Sequence, residues 1–145
     1  MLIVDAEPIV AAADRRDPRG GEVLEVLRYH RGPLIMPAPV TAEIDYLLHK
    51  LGGRHVADSF VDDLAAGRFQ VECLKPLEYR LIGELSKCYA ALEPGLADLS
   101  VVLLARRYET VDVLTFDQRH FRTMVPLEGG DAFRLLPDDA VQGEC

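Results

Sequence analysis

The sequence contains little cysteine, and its cysteines follow no metal-binding or disulfide pattern. Cys73, Cys88 and Cys145 are widely spaced and odd in number, and no two of them form a C-x-x-C pair. Neither a zinc knuckle nor a disulfide framework is therefore predicted. We expect reduced thiols of the kind found in cytosolic proteins.

A basic leader and long apolar runs are also missing. The first seven residues include two acids, Asp5 and Glu7, and no basic segment precedes an apolar stretch, so no signal peptide is predicted. No apolar run is long enough to cross a bilayer. These absences predict a soluble, cytoplasmic protein that does not act at a membrane.

Basic residues are in deficit, with 16 Lys and Arg against 24 Asp and Glu, which gives a formal net charge of −8. This balance argues against a protein that binds DNA or RNA mainly through phosphate contacts.

The 145 residues, 49% of them hydrophobic, are enough for one domain with a hydrophobic core and exclude a disordered chain.

Short apolar runs alternate with segments of helical periodicity along the chain. Strands are predicted at 2–4, 34–36, 69–73 and 111–116, with a weak last strand at 133–135. Helices are predicted after Pro8, around 23–27, from an N-cap at Thr41 to Leu51, at 56–64, from Pro76 and at 96–108. This order predicts one α/β domain over residues 1–136, with a mostly parallel central sheet of four to five strands flanked by helices. Residues 137–145 are expected to form a flexible acidic tail.

Four acids lie at the ends of these predicted elements. Asp5 and Asp117 directly follow strands, whereas Glu43 and Asp98 are predicted to open helices. Ligands of open parallel sheets bind beyond the carboxyl ends of the strands. Each acid alone is an ordinary helix-terminal residue, but crowded carboxylates require a neutralising cation. Oxygen ligands of this kind suit Mg²⁺ or Mn²⁺.

The strings that end at these acids resemble the acidic quartet of PIN domains. They are Leu-Ile-Val-Asp5, Val-Thr-Ala-Glu43, Leu-Ala-Asp98 and Leu-Thr-Phe-Asp117. The resemblance extends from Asp5 to about residue 121, and the helix-rich middle is similar to that of VapC-type toxins from bacterial toxin–antitoxin pairs. The family often has Ser or Thr two residues after its first Asp, where this chain has Glu7. Glu7 is either a fifth carboxylate near the metal or an exposed helix-start acid, and we favour the second interpretation.

The resemblance implies a Mg²⁺-dependent endoribonuclease, with Mn²⁺ as a possible substitute, that leaves 5′-phosphate and 3′-hydroxyl ends. It further implies a toxin that inhibits translation by cleaving tRNA or ribosomal RNA, a small antitoxin partner and a homodimer. Asp5 and Asp98 would be the primary metal ligands, and Asp117 would complete the shell directly or through water. Glu43 would ligate the metal or orient the attacking water.

Basic residues close to the acids in sequence are candidates for RNA contacts. Arg15 and Arg16 follow the first helix and Arg119 follows the last acid. The pair at 106 and 107 could contact RNA or complement a helix dipole. The four histidines, at 30, 49, 55 and 120, show no paired ligand spacing, and most are predicted to be surface or structural residues.

Two alternatives remain at this point. A catalytically silent PIN-like module could bind RNA or protein with the same fold. A phosphoacceptor signalling domain also places an Asp after a buried strand, but this chain has Asp117-Gln118-Arg119 where such a domain needs a late Lys.

The proposed site accounts for four of the excess acids behind the net charge of −8. The composition thus excludes a basic RNA-coating protein but not a metal-dependent nuclease.

Overall fold

The computed structural model describes residues 1–140, which fold into five strands and seven helices. In chain order these are β1 (Leu2–Val4), α1 (Ala6–Ala13), α2 (Gly20–Tyr29), β2 (Leu34–Pro37), α3 (Ala38–Gly52), α4 (Arg54–Ala65), β3 (Gln70–Glu72), α5 (Pro76–Cys88), α6 (Leu96–Arg107), β4 (Asp112–Leu114), α7 (Gln118–Phe121) and β5 (Arg134–Leu136). The predicted alternation of strands and helices is confirmed. Cys145 and residues 141–145 of the predicted tail lie outside the described residues.

The strands form one sheet in the order β3-β2-β1-β4-β5, and every neighbouring pair is parallel. The chain extends the sheet from β1 through β2 to β3 on one side and adds β4 and β5 on the other. The strand order therefore reverses next to β1, and a ligand crevice is expected between the carboxyl ends of β1 and β4. Leu2, Ile3 and Val4 are fully buried, as a central strand covered on both faces requires.

Helix α6 is the most buried helix and packs against β1, β2 and β4. Its residues from Leu99 to Ala105 are all buried, with Val101 and Leu104 fully so. Apolar side chains on every face are expected for a helix inside a core. The N-terminal turn of α6 carries Asp98, so the same packing that buries the helix places this carboxylate near the sheet.

Helix α3 begins earlier than the sequence pattern indicates. The predicted N-cap at Thr41 is wrong, because the Thr41 hydroxyl donates to the Ala38 carbonyl at 2.7 Å inside the first turn. Pro39 fits that first turn, where a missing N–H costs nothing. Glu43 consequently lies in the second turn of α3 rather than opening the helix.

The chain after β5 packs against the domain as far as it is described. Asp138 accepts hydrogen bonds from Arg19 and Gln118, and Asp139 accepts from both terminal nitrogens of Arg122 at 2.6 and 2.8 Å. The domain boundary at residue 136 stays a prediction.

Cys73 and Cys88 are exposed thiols. Within residues 1–140, no helix has the length and apolar character needed to span a membrane.

Candidate active site

The carboxyl ends of β1 and β4 bring predicted site residues to one place. Asp5 follows β1 and Asp117 follows β4, while Asp98 enters from the first turn of α6 and Glu43 from α3. Asp98 and Glu43 both raise the pKa of Asp5 through charge repulsion, and Asp117 does the same for Asp98. The four acids therefore share one electrostatic environment.

Asp5 is the most buried of these carboxylates, with 6% of its surface exposed. One oxygen accepts from the Ala6 N–H at 2.8 Å, which caps α1, and the other accepts from the Thr115 hydroxyl at 2.7 Å. Loss of hydration on burial raises the pKa of Asp5 from 3.8 to about 6, although both hydrogen bonds favour the charged form. The fold thus holds a carboxylate whose charge is incompletely compensated.

Thr115 connects the two strand ends of the site. Its hydroxyl donates to Asp5 and its oxygen accepts from the Asp117 N–H at 3.0 Å, so one buried side chain fixes both acid-bearing segments. The sequence interpretation missed this role. The signal was present in the Leu-Thr-Phe-Asp string, where Thr115 lies two residues before Asp117.

Asp98 and Glu43 face the crevice from two helices. Asp98 is partly buried, and its side chain accepts from the Gly95 N–H at 2.7 Å, which stabilises the start of α6. Desolvation raises the pKa of Asp98, and the Asp117 carboxylate adds to that rise. Glu43 is exposed at the rim, where desolvation, Asp98 and Glu7 raise its pKa in that order.

Asp117 is paired with a histidine that sequence reasoning set aside. The Asp117 carboxylate caps α7 by accepting from the His120 backbone N–H at 2.9 Å, and its other oxygen lies 2.5 Å from Nδ1 of the same residue. Candidate ligand atoms of Asp98, Asp117 and His120 lie within 4.8 Å of one another. Desolvation lowers the pKa of His120, but Asp117, Asp98 and the Leu92 carbonyl together raise it above its ordinary value.

Glu7 fits the favoured interpretation of an exposed helix-start acid, and a place beside the metal stays a prediction. It is exposed in the first turn of α1, yet close enough to raise the pKa of Glu43.

Glu7 and Phe116 also line an open pocket of about 310 Å³. The guanidinium of Arg19 lies 4.0 Å from the centre of the Phe116 ring, a cation–π contact that holds the ring in place.

The arginines proposed for RNA contact are dispersed. Arg119 is exposed on α7 beside the site, whereas Arg16 is exposed and pairs with Asp14 at 3.1 Å. Arg15 lines an apolar groove that none of the four acids lines. Arg107 is tied to Glu72, Glu78 and the Cys73 carbonyl, and Arg106 pairs with Glu128 at 2.8 Å. Arg106 and Arg107 therefore form ion pairs within the domain.

The donor set fits a hard divalent cation. Carboxylates are gathered at one sheet edge, the pKa values of Asp5, Asp98 and Glu43 are raised, and candidate ligand oxygens of Asp98 and Asp117 lie within 4.8 Å of each other. A bound cation would relieve the repulsion among these groups. Oxygen donors of this kind match Mg²⁺ or Mn²⁺ rather than a thiophilic metal.

Comparison with known proteins agrees with this arrangement. The PIN domain family model matches residues 2–125. Ribonuclease VapC26 from Mycobacterium tuberculosis strain ATCC 25618 / H37Rv is 29% identical over 136 residues, which cover 94% of this chain and 100% of the relative. The crystal structure of Mycobacterium tuberculosis VapC20, a sarcin–ricin loop cleaving toxin, matches with a TM-score of 0.77 and 16% identity. That match covers 88% of this chain and 99% of VapC20. The predicted fold and its VapC-type resemblance are confirmed, and the chain belongs to the PIN domain family.

Proposed function

We propose that this protein is an endoribonuclease that requires Mg²⁺, or Mn²⁺ in its place, and acts as the toxin of a toxin–antitoxin pair. The observation that carries the proposal is the meeting of Asp5, Glu43, Asp98 and Asp117 at the point where the strand order reverses. Membership of the PIN family and similarity to a VapC ribonuclease support the same activity.

Asp5, Asp98 and Asp117 would hold the metal. When bound, the metal lowers the pKa of a coordinated water and neutralises charge that develops on the phosphate. The Thr115 side chain bonds to both Asp5 and the backbone of Asp117, so it fixes these two segments relative to each other. The hydrogen bond from the Gly95 N–H fixes the position of the Asp98 carboxylate. The protein thus supplies fixed oxygen ligands before substrate arrives, which is the main contribution of a metal-dependent nuclease scaffold.

Glu43 is suited to handling the attacking water. It is exposed at the rim of the crevice, and its raised pKa makes it a better proton acceptor than an ordinary glutamate. In this position the carboxylate can orient the water and accept its proton. Glu43→Gln should therefore reduce the cleavage rate more than it reduces metal affinity.

The substrate we propose is a structured RNA, either tRNA or a loop of ribosomal RNA. VapC20, which shares the fold, is a sarcin–ricin loop cleaving toxin. The net charge of −8 disfavours broad phosphate binding, so selectivity would depend on RNA shape and a few cations. Arg119 beside Asp117, with Arg15 and Arg16 farther out, are the proposed RNA-contacting residues. Sequencing of 5′-phosphate RNA ends after induction would identify the target.

The partner we propose is a small antitoxin that covers an apolar groove of about 540 Å³. Ile9, Leu24, Leu27 and Phe69 contribute to this groove, and Leu24 is 48% exposed. Arg15, Asp63 and Arg68 also line it, and Arg68 pairs with Asp63 at 3.2 Å, so an apolar segment with one acid placed to meet Arg15 would complement the surface. Homodimer formation stays a prediction, which light scattering of the purified toxin would test. The cytoplasmic location also stays a prediction.

A cleavage assay tests the activity directly. Purified protein should cut RNA only with Mg²⁺ or Mn²⁺, and Asp98→Asn should lower the cleavage rate by at least about 100-fold. Glu25→Gln is a matched control, because Glu25 is an exposed acid on α2. A wild-type protein that binds RNA with no cleavage under any divalent metal would instead favour the catalytically silent module.

A further inference from the structure

We propose that His120 is a positioning residue that orients the Asp117 carboxylate for metal binding and fastens the chain segment that leads to Asp98. The proposal rests on the metal-dependent activity proposed above. It concerns a histidine that follows Asp117 by three residues, on the first turn of α7.

Asp117 is held at both of its oxygens by this one residue. Oδ1 accepts from the His120 backbone N–H at 2.9 Å, and Oδ2 lies 2.5 Å from Nδ1 of the imidazole. The side chains of His120 and Asp117 are only 15% and 25% exposed. With both oxygens engaged, the carboxylate plane cannot rotate freely, so its remaining lone pairs have a fixed direction.

The other ring nitrogen reaches a different part of the chain. Nε2 of His120 lies 3.1 Å from the carbonyl oxygen of Leu92, in the connection between α5 and α6. Three residues later in that connection, the Gly95 N–H donates to Asp98 at 2.7 Å. A single imidazole therefore joins the segment that carries Asp117 to the segment that positions Asp98.

Both nitrogens of the ring are engaged. Nδ1 faces a carboxylate oxygen of Asp117 and Nε2 faces the Leu92 carbonyl oxygen. A ring held on both sides in this way has no nitrogen free to face a metal. The geometry thus favours a residue that supports the ligands over a residue that is itself a ligand, and such supporting contacts affect metal affinity by about 10- to 100-fold.

Two amide substitutions separate the two hydrogen bonds. The side-chain nitrogen of Asn lies near the position of Nδ1, so His120→Asn keeps the contact with Asp117 and loses the contact with Leu92. The longer Gln places its nitrogen near Nε2, so His120→Gln does the reverse. His49→Asn and His49→Gln are controls, because His49 is exposed on α3.

Two measurements report on the two contacts. We expect Mn²⁺ titration to show His120→Asn within about threefold of wild type and His120→Gln weaker by about tenfold or more. In the metal-free protein, amide hydrogen exchange over residues 89–98 should speed up in His120→Asn and stay near wild type in His120→Gln.

The proposal is overturned if the two variants bind Mn²⁺ equally, which would indicate a general packing role or direct ligation. It is also overturned if exchange over residues 89–98 is the same in both variants. A wild-type protein that binds no Mn²⁺ would contradict the proposed function instead, and the exchange measurement would still test the contact with Leu92.

Discussion

Asp5→Asn should make the metal-free protein more stable at neutral pH while removing its activity. Burial raises the pKa of Asp5 from 3.8 to about 6, so the folded state disfavours the charged carboxylate relative to the unfolded chain. At 1.36 kcal/mol per pKa unit, the penalty is about 3 kcal/mol once the group is ionised in both states. Asn has the same shape without the charge. Its oxygen can accept from the Ala6 N–H, and its amide can donate to the Thr115 oxygen, which leaves the buried Thr115 hydroxyl hydrogen without its acceptor. This lost hydrogen bond offsets about 1 kcal/mol of the gain.

The pH dependence of this penalty follows from the direction of the pKa shift. Below the ordinary value of 3.8, Asp5 is protonated in both the folded and unfolded states, and no penalty exists. Between 3.8 and about 6, the unfolded chain ionises first, so folding stability falls as pH rises. Above that window the penalty is constant, and it is relieved only when a cation binds.

Urea denaturation in EDTA provides the assay, with Glu25→Gln as the matched loss of an exposed acid. We expect Asp5→Asn to gain about 1 to 2 kcal/mol at neutral pH, or roughly 3 to 6 °C in melting temperature, and to lose this advantage near pH 4. Added Mn²⁺ should stabilise wild type but not the variant. Equal stabilities at neutral pH, or a gain that persists near pH 4, would refute the argument.

Other predictions concern separate parts of the molecule. Mn²⁺ affinity should weaken as pH falls below about 6, because protons then compete with the cation for Asp5; Mn²⁺ titrations at a series of pH values measure this. Asp98→Asn should lower cleavage by at least about 100-fold in the RNA cleavage assay, with the fold retained by circular dichroism. Leu24→Asp should weaken antitoxin binding by at least about tenfold in a calorimetric titration without changing cleavage. Arg107→Ala should cost about 2 kcal/mol of unfolding free energy through lost charged hydrogen bonds and leave cleavage intact.

The strands and the acids could be predicted because their signals are local. Leu2, Ile3 and Val4 form a run that is typical of a buried strand, and Asp5 directly follows it. Parallel strands place their carboxyl ends at one edge, so the sequence alone predicts that Asp5 and Asp117 lie close together. Asp98 was recognisable as a charge within an otherwise apolar helix.

The supporting contacts could not be predicted in the same way, because they join distant parts of the chain. The partner of Thr115 is 110 residues away in sequence, and Leu92 is 28 residues from His120. The start of α3 was missed for a different reason. Thr41 is a favourable N-cap by residue type, but Pro39 allows the helix to start earlier, and the hydroxyl then bonds inside the turn.

Because the apolar groove and the acids are lined by different residues, loss of activity does not require loss of antitoxin binding. None of the four carboxylates lines that groove. A substitution at Asp5 would therefore remove the activity and leave the surface proposed for the antitoxin unchanged. It would also raise the free energy of unfolding. Cells that escape by this route would accumulate a durable, inactive protein that still sequesters antitoxin. Because this inactive protein would bind antitoxin, less antitoxin would be free to inhibit any active toxin in the same cell.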